Sequence, residues 1–461
     1  MTTDSGIDII SRGIHRRAVE SAVWGMAAVN FELMREVLAG GNSNEFVYWS
    51  RLLDWRNQTL TPNPDLIYYI AFFDTHDGPV VVEIPAEHEG QALNGSICNL
   101  WQIPLEDVGH FGVDQGRGGK YLILPPDWDN PIPDGYITLP SETYRTYALL
   151  RSVLDERTQD ALDRGLELCR RIRVYPLTQA DNPPETRARD LNGEIVDTTI
   201  PYDIRYFELL HRAIQDEPWL ARDRAFAEML AGIGIEKGKT FDPDPGHVKI
   251  LEDAVAEAHT WIRASYEQSF EPFFAGTQWF FPANQDFLEA QRDGFTAHDQ
   301  VYPYTSRAVV YHMAFIGLKH LGVGQFYLIN LRDKDRSFFN SANTYRMPVP
   351  ADVPVSQYWS VTMYDAQTHG FIRGNTKYSV SSQTPGLITN DDGTVDIYFG
   401  PHALPGREAN FIETGDSQGF ELMFRFYGVG PEVMAKQWSL RDAERLEDTP
   451  TAQPKSLPQS T

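Results

Sequence analysis

Residues 7–38 carry apolar side chains at helical spacing, with Ile10, Ile14, Val19, Val23, Met26, Phe31 and Met34 near one face. Gly40-Gly41 supplies the stop that should end this helix. From Phe46 to about Leu149 the period shortens to that of strands broken by Pro, Gly and Asn clusters, clearest at 66–73, 79–84 and 120–125. The pattern predicts helices again over 155–173, 203–233, 246–269 and about 299–320, with a Pro- and Asp-rich connection over 180–200. Strands resume from Gln325 to Tyr427. There, 358–365 alternates large apolar with small polar residues, and Asp392-Gly393 introduces a further alternating run. Residues 438–446 read as a closing helix. The Pro-, Gln-, Ser- and Thr-rich tail reads as disordered.

Two β blocks of similar size separated by helices make an α+β chain, two mainly antiparallel β-sandwich domains about an intervening helical layer. The expected divisions are an N-terminal helical segment (1–45), a first sandwich (46–154), the helical layer (155–324), a second sandwich (325–447) and the tail (448–461).

Composition narrows the function. At 461 residues the chain exceeds one ordinary core. Aromatics at 12% suit sandwich packing and ligand pockets. A formal net charge of -24 repels phosphate backbones and anionic lipid, so nucleic acid and membrane are not expected partners. An acidic substrate would need a local basic pocket. Cys98 and Cys169 fall in no metal or redox spacing and read as reduced core residues. The first twelve residues lack a basic region followed by an apolar one, and no apolar run approaches the ~18 residues of a membrane span. Cytoplasmic residence is the expectation.

Several motifs recur in an order that resembles a known family. Thr61-Pro62-Asn63-Pro64-Asp65-Leu66-Ile67-Tyr68 is similar to the Asn-x-Asp-x-x-Tyr signature of domain of unknown function 1254, as are 101–109 and the Gly-rich run to Leu122. Asn343-Thr344-Tyr345-Arg346, 359–365, Ser381-Ser382, Gly400-Pro401 and 406–412 resemble its companion, domain of unknown function 1214. The resemblance spans roughly 15–447 and implies two jelly-roll-like sandwiches joined by a helical layer, without implying a particular reaction. Many such relatives carry an export signal, which keeps a processed secreted form open. Three positions depart from the pattern: Phe339-Asn340-Ser341 replaces an Asp-Gly turn, His369 a common Arg, and Phe411 a usual Trp.

Other motifs yield to simpler readings. Gly415-Asp416-Ser417-Gln418-Gly419 matches a nucleophile elbow, but a strand pattern follows it and no histidine lies beyond Ser417, so it reads as a hairpin loop. Residues 112–120 lack the Gly and Ser/Thr of a phosphate loop. Residues 333–344 start like a calcium loop but carry Phe338 and Thr344 where Gly and Glu are needed. His312 and His320, read as one helix face, would lie ~12 Å apart, too far to chelate one ion. No motif implies a cofactor or a metal.

The remaining candidates are polar residues on apolar strands. Asp65, Tyr68, Tyr364 and Asp365 are the expected catalytic set, because a buried carboxyl beside a phenol can serve as acid or base. Asx-type turns and structural ion pairs, such as Asp365 with Arg373 or Arg346, are the competing readings. Asn63, Trp101, Lys120, Tyr345, Trp359 and Arg373 are the expected ligand-binding set, with the three large aromatics as a wall. The expected function is an enzyme acting on a small organic molecule by metal-independent acid/base chemistry in a sandwich pocket. The alternatives are a non-catalytic binder of a carbohydrate- or lipid-like ligand and an assembly protein. Homo-oligomerisation is compatible with all three.

Overall fold

The computed structural model describes residues 3–88, 91–154, 158–297, 301–313, 319–320 and 324–446. The tail expected to be disordered, 448–461, lies outside the described residues. Eight helices are seen among the described residues: α1 Thr3–Ala39, α2 Gln159–Arg170, α3 Ile204–Gln215, α4 Arg224–Ala231, α5 Pro245–Gln268, α6 Gln285–Arg292, α7 Tyr304–Met313 and the short α8 Pro431–Met434. Several have the caps that side-chain chemistry favours. Asp244 accepts from the Gly246 and His247 amides with Pro245 in the first turn of α5, and Thr158, Asp203 and Asn284 cap α2, α3 and α6.

The first sandwich pairs a six-stranded sheet with a four-stranded one. The larger runs Ala188–Asp190, Glu45–Tyr48, Leu66–Asp74, Arg145–Val153, Leu93–Asn99, Pro104–Val108, and the smaller Arg173–Pro176, Val80–Ile84, Gly119–Leu124, Ile137–Pro140. The second sandwich sets Gln325–Asn330, Phe420–Tyr427, Trp359–Asp365, Ser379–Ser381 against Phe411–Glu413, Val395–Gly400, Tyr345–Val349, Glu444–Arg445. Pairing is antiparallel except between 45–48 and 188–190, 119–124 and 137–140, 395–400 and 411–413, and in a two-stranded ribbon of 57–58 with 196–197. The 180–200 connection thus supplies two short strands.

Alternation along each strand decides what the sheets face. On Phe420–Tyr427, Leu422, Phe424 and Phe426 fill the second sandwich, which leaves Glu421, Met423, Arg425 and Tyr427 on the opposite face. On Arg145–Val153, Ala148 and Leu150 fill the first sandwich, while Tyr147, Leu149 and Arg151 face away from it. Both outward faces pack against the helical layer, where Tyr147, Tyr364 and Met423 join the same core as the helices. α1 is the centre of that layer, packing on α3, α4, α5 and α7. Its residues 21–34 are buried on every side, whereas Ile10, expected on the apolar face, is exposed.

The closing helix expected over 438–446 does not form. Leu440 and Ala443 are drawn into the second sandwich core, Asp442 accepts from the Gln278 amide at 2.8 Å, and Glu444–Arg445 pairs with Tyr345 and Arg346 as a strand. Tertiary partners here outweigh local propensity. His320 stands in a bend, so it does not share a helix with His312, which lies in α7.

Candidate functional site

The outward faces of the two sandwiches enclose a cavity. Its walls come from α1 (Asn30, Met34, Leu38), the segment 49–63, the first sandwich (Tyr68, Ile70, Tyr147, Leu149, Arg151), Phe281-Pro282, and the second sandwich (Gln325, Tyr327, Met423, Arg425). The space open to a water-sized sphere is about 100 Å³. One water needs ~10–15 Å³ on that measure, so a small organic group fits. The lining is mostly apolar, and its described charged residues are Arg151 and Arg425 alone.

Those two guanidiniums share Tyr327. Arg151 Nη1 donates to the Tyr327 hydroxyl at 3.4 Å, and the Arg425 guanidinium lies 5.4 Å from the Tyr327 ring centroid. Arg151 also sits 5.9 Å from the Tyr68 ring centroid. Arg425 donates to Thr362 Oγ1 at 2.7 Å, the Thr61 carbonyl at 3.1 Å and the Tyr364 hydroxyl at 2.5 Å. Burial raises the Tyr68 and Tyr364 phenols above their ordinary value, against the pull of Arg425 and, for Tyr68, Arg151. Both phenols are therefore protonated at neutral pH.

The 61–65 segment is pinned between the sandwiches. Its Asn63 amide N–H donates to the Tyr68 hydroxyl at 3.1 Å, Asn63 Oδ1 accepts from the Asp65 amide at 3.0 Å, and Asn63 Nδ2 donates to the Tyr427 hydroxyl. Tyr364 donates to the Pro62 carbonyl at 2.6 Å. Thr61 has φ +42°, a left-handed conformation that a β-branched residue adopts only under constraint, and its amide donates to the carbonyl of His369, itself at φ +57°.

Of the residues expected from sequence, Asn63 and Tyr68 line this cavity, and Tyr364 supports Arg425 from behind it. Asp65 faces a separate, open groove and accepts from Ser379 Oγ at 3.1 Å. Asp365 is on the opposite face of its strand from Tyr364. Its carboxylate ties the following turn, accepting from the Gln367 and Thr368 amides at 2.8 and 3.0 Å and from Ser417 Oγ at 2.7 Å. The four expected catalytic residues do not converge. Neither do the expected wall residues: Trp101 packs on Trp24, whereas Tyr345 and Trp359 lie in the second sandwich core against Phe339 and Phe424. Lys120 is exposed, and exposed Arg373 pairs with Asp197 at 2.6 Å rather than with Asp365.

A second polar group escaped the sequence reading because its members come from distant segments. Tyr202 OH lies 2.9 Å from His312 Nδ1, His312 Nε2 lies 3.3 Å from His369 Nε2, and His369 Nδ1 lies 3.1 Å from Glu421 Oε1. One donor direction satisfies the whole chain with neutral imidazoles: Tyr202 O–H to His312, His312 Nε2–H to His369, His369 Nδ1–H to the Glu421 carboxylate. His259 stacks on Tyr202 at 3.7 Å. Burial first, and then His369 and Arg263, hold His259 down to about 4; burial and the neighbouring His369 and His259 hold His312 well below the usual range. Among the described residues no group of three or more His, Cys, Asp or Glu is placed to hold a metal ion. Nor is any described helix long and apolar enough to cross a membrane.

Residues 43–176 match the family model described as protein of unknown function DUF1254, and residues 324–431 match the one described as protein of unknown function DUF1214. The chain belongs to the two-domain DUF1254–DUF1214 family. Arg151 lies in the DUF1254 part and Arg425 in the DUF1214 part, so the cavity is shared by the two family domains, with Asn30 of α1 outside both. The crystal structure of the VPA0106 protein from Vibrio parahaemolyticus is similar along 94% of this chain and 100% of its own, at 17% identity and a TM-score of 0.58, a likeness of fold. An uncharacterized protein from Burkholderia cenocepacia matches over 95% of each chain at 9% identity and a TM-score of 0.45. No curated protein sequence matches the chain significantly.

Proposed function

We propose that the protein takes up a small organic molecule in the cavity between its two jelly-roll-like sandwiches. The observation that carries this is the convergence of α1, the 49–63 segment and both sheets on one enclosed space whose surface is mainly apolar and which polar side chains such as Tyr68, Arg151 and Arg425 also line, the usual make-up of a small-molecule site. Filling that space is the test. Leu149→Trp places a large ring in the cavity, and the expected result is loss of any co-purifying small molecule in native mass spectrometry while the protein stays folded by circular dichroism. Unchanged occupancy in the folded variant would remove the cavity from consideration.

An acid/base reaction in the same cavity is the second reading, and Tyr68 favours it. Its protonated phenol lines the cavity beside Arg151 and accepts the Asn63 amide, so its own proton is free to be donated to a bound molecule. Tyr68→Phe should lower turnover of a bound substrate by roughly 100-fold while affinity changes only a few-fold. An equal loss in both would make Tyr68 a binding residue only.

A further inference from the structure

We infer that the molecule taken up is an apolar carboxylic acid, held as its anion by Arg151 and Arg425. This rests on the cavity reading proposed above. The first argument is charge. Neither guanidinium has a carboxylate within ion-pair distance among the described residues, and no aspartate or glutamate is among the described lining residues. Arginine stays protonated in proteins, and Arg425 is only 2% exposed. A buried cation without a counter-ion is costly, and a bound anion removes that cost.

The second argument is hydrogen bonding. Two of the lining residues retain buried polar atoms with no partner among the described residues, Arg151 Nε and Asn30 Nδ2. Asn30 is 2% exposed. Its amide orientation follows from its neighbours: Gln102 Nε2 donates to the Ala27 carbonyl at 2.9 Å, so the Asn30 atom 2.9 Å from that same nitrogen is the oxygen. The unused Asn30 atom is therefore an N–H donor, as is Arg151 Nε. Both orphans call for an acceptor, and a carboxylate is an acceptor-only group that matches the guanidinium fork. The remaining walls, Met34, Leu38, Ile70, Leu149 and Met423 among them, suit an apolar body. A single negative charge is favoured over a phosphate dianion because a largely apolar enclosure penalises the second charge. The pocket is also the local exception that a chain of net charge -24 needs in order to admit an anion.

The test uses the full chain and two matched probe pairs, hexanoate with hexanamide and benzoate with benzamide, titrated by calorimetry. Each carboxylate should bind at least ~10-fold more tightly than its amide. Arg151→Met and Arg425→Met should each weaken the carboxylate by about 10- to 100-fold and leave the amide within a few-fold. Arg425 also bonds Thr61, Thr362 and Tyr364; if its Met variant fails to fold, Arg151→Met and Asn30→Leu decide the matter. Equal binding of acid and amide overturns the anion inference and leaves the cavity reading standing. Carboxylate binding that survives Arg151→Met overturns the assignment to these arginines. Binding of neither member of either pair overturns both the inference and the cavity reading.

Discussion

His259→Gln should flatten part of the acid limb of the protein's stability curve. The ring is stacked on Tyr202 and held neutral, with its pKa down to about 4 against an ordinary 6.5. Because the folded-state value is depressed, the unfolded chain binds more protons than the folded one below about pH 6.5. Stability is therefore lost as pH falls through that value towards the folded pKa. A difference of about 2.5 pH units at ~1.4 kcal/mol each sets a ceiling of about 3.5 kcal/mol. The ring is partly exposed, so roughly 2 kcal/mol should appear between about pH 7 and pH 4.5. The wild-type curve alone would not isolate it, since Glu217, raised by burial to about 7, and Asp442, raised by burial to about 6, act with the opposite sign over part of this range. The assay is urea unfolding of wild type and His259→Gln at both pH values. Lost stacking on Tyr202 shifts the variant equally at each pH and cancels in the difference. The acid-induced loss should be smaller in the variant by roughly 2 kcal/mol. A difference that does not change with pH would refute the view that packing holds this imidazole neutral.

Two further substitutions test the surroundings of the cavity. Asp365→Ala removes the acceptor for two amides and the Ser417 hydroxyl, so it should lower stability by about 2 kcal/mol in chemical unfolding while carboxylate-probe affinity stays unchanged. Gly95→Ala should cost more than ~3 kcal/mol or prevent folding, measured by thermal unfolding. A Cβ there would meet the Leu149 carbonyl oxygen at 2.0 Å, at a residue whose φ is +156°.

The strands and helices were legible where apolar runs and turn residues coincide, and the family motifs located Asn63 and Tyr68 on the cavity wall. The closing segment was misread because its helical composition hides partners 100 and more residues away, Gln278 and Tyr345 among them. Arg425 stands in the fully buried strand 420–427, and Asn30 in a stretch of α1 with no exposed face. A polar residue inside an otherwise buried run is the signal that marks both. Of the histidine chain only His369 stands out in the sequence, as a departure from the family pattern; its link to His259 and His312 does not, because packing α5 and α7 against the second sandwich brings the three together.

The bonds around residues 61–63 also bear on how these proteins can be recombined. Thr61 and Pro62 offer carbonyls to Arg425 and Tyr364, and Asn63 offers its amide to Tyr427, each a contact from the DUF1254 part to the DUF1214 part. A crossover placed in the helical layer between two divergent parents would look harmless to either sandwich core, yet it would separate this segment from the strands that hold it. Chimeras of that kind should fold their halves and fail to rebuild the cavity, unless 59–68 is inherited together with 362–364 and 425–427. The unit of exchange in this architecture is the matched pair of faces, not the domain.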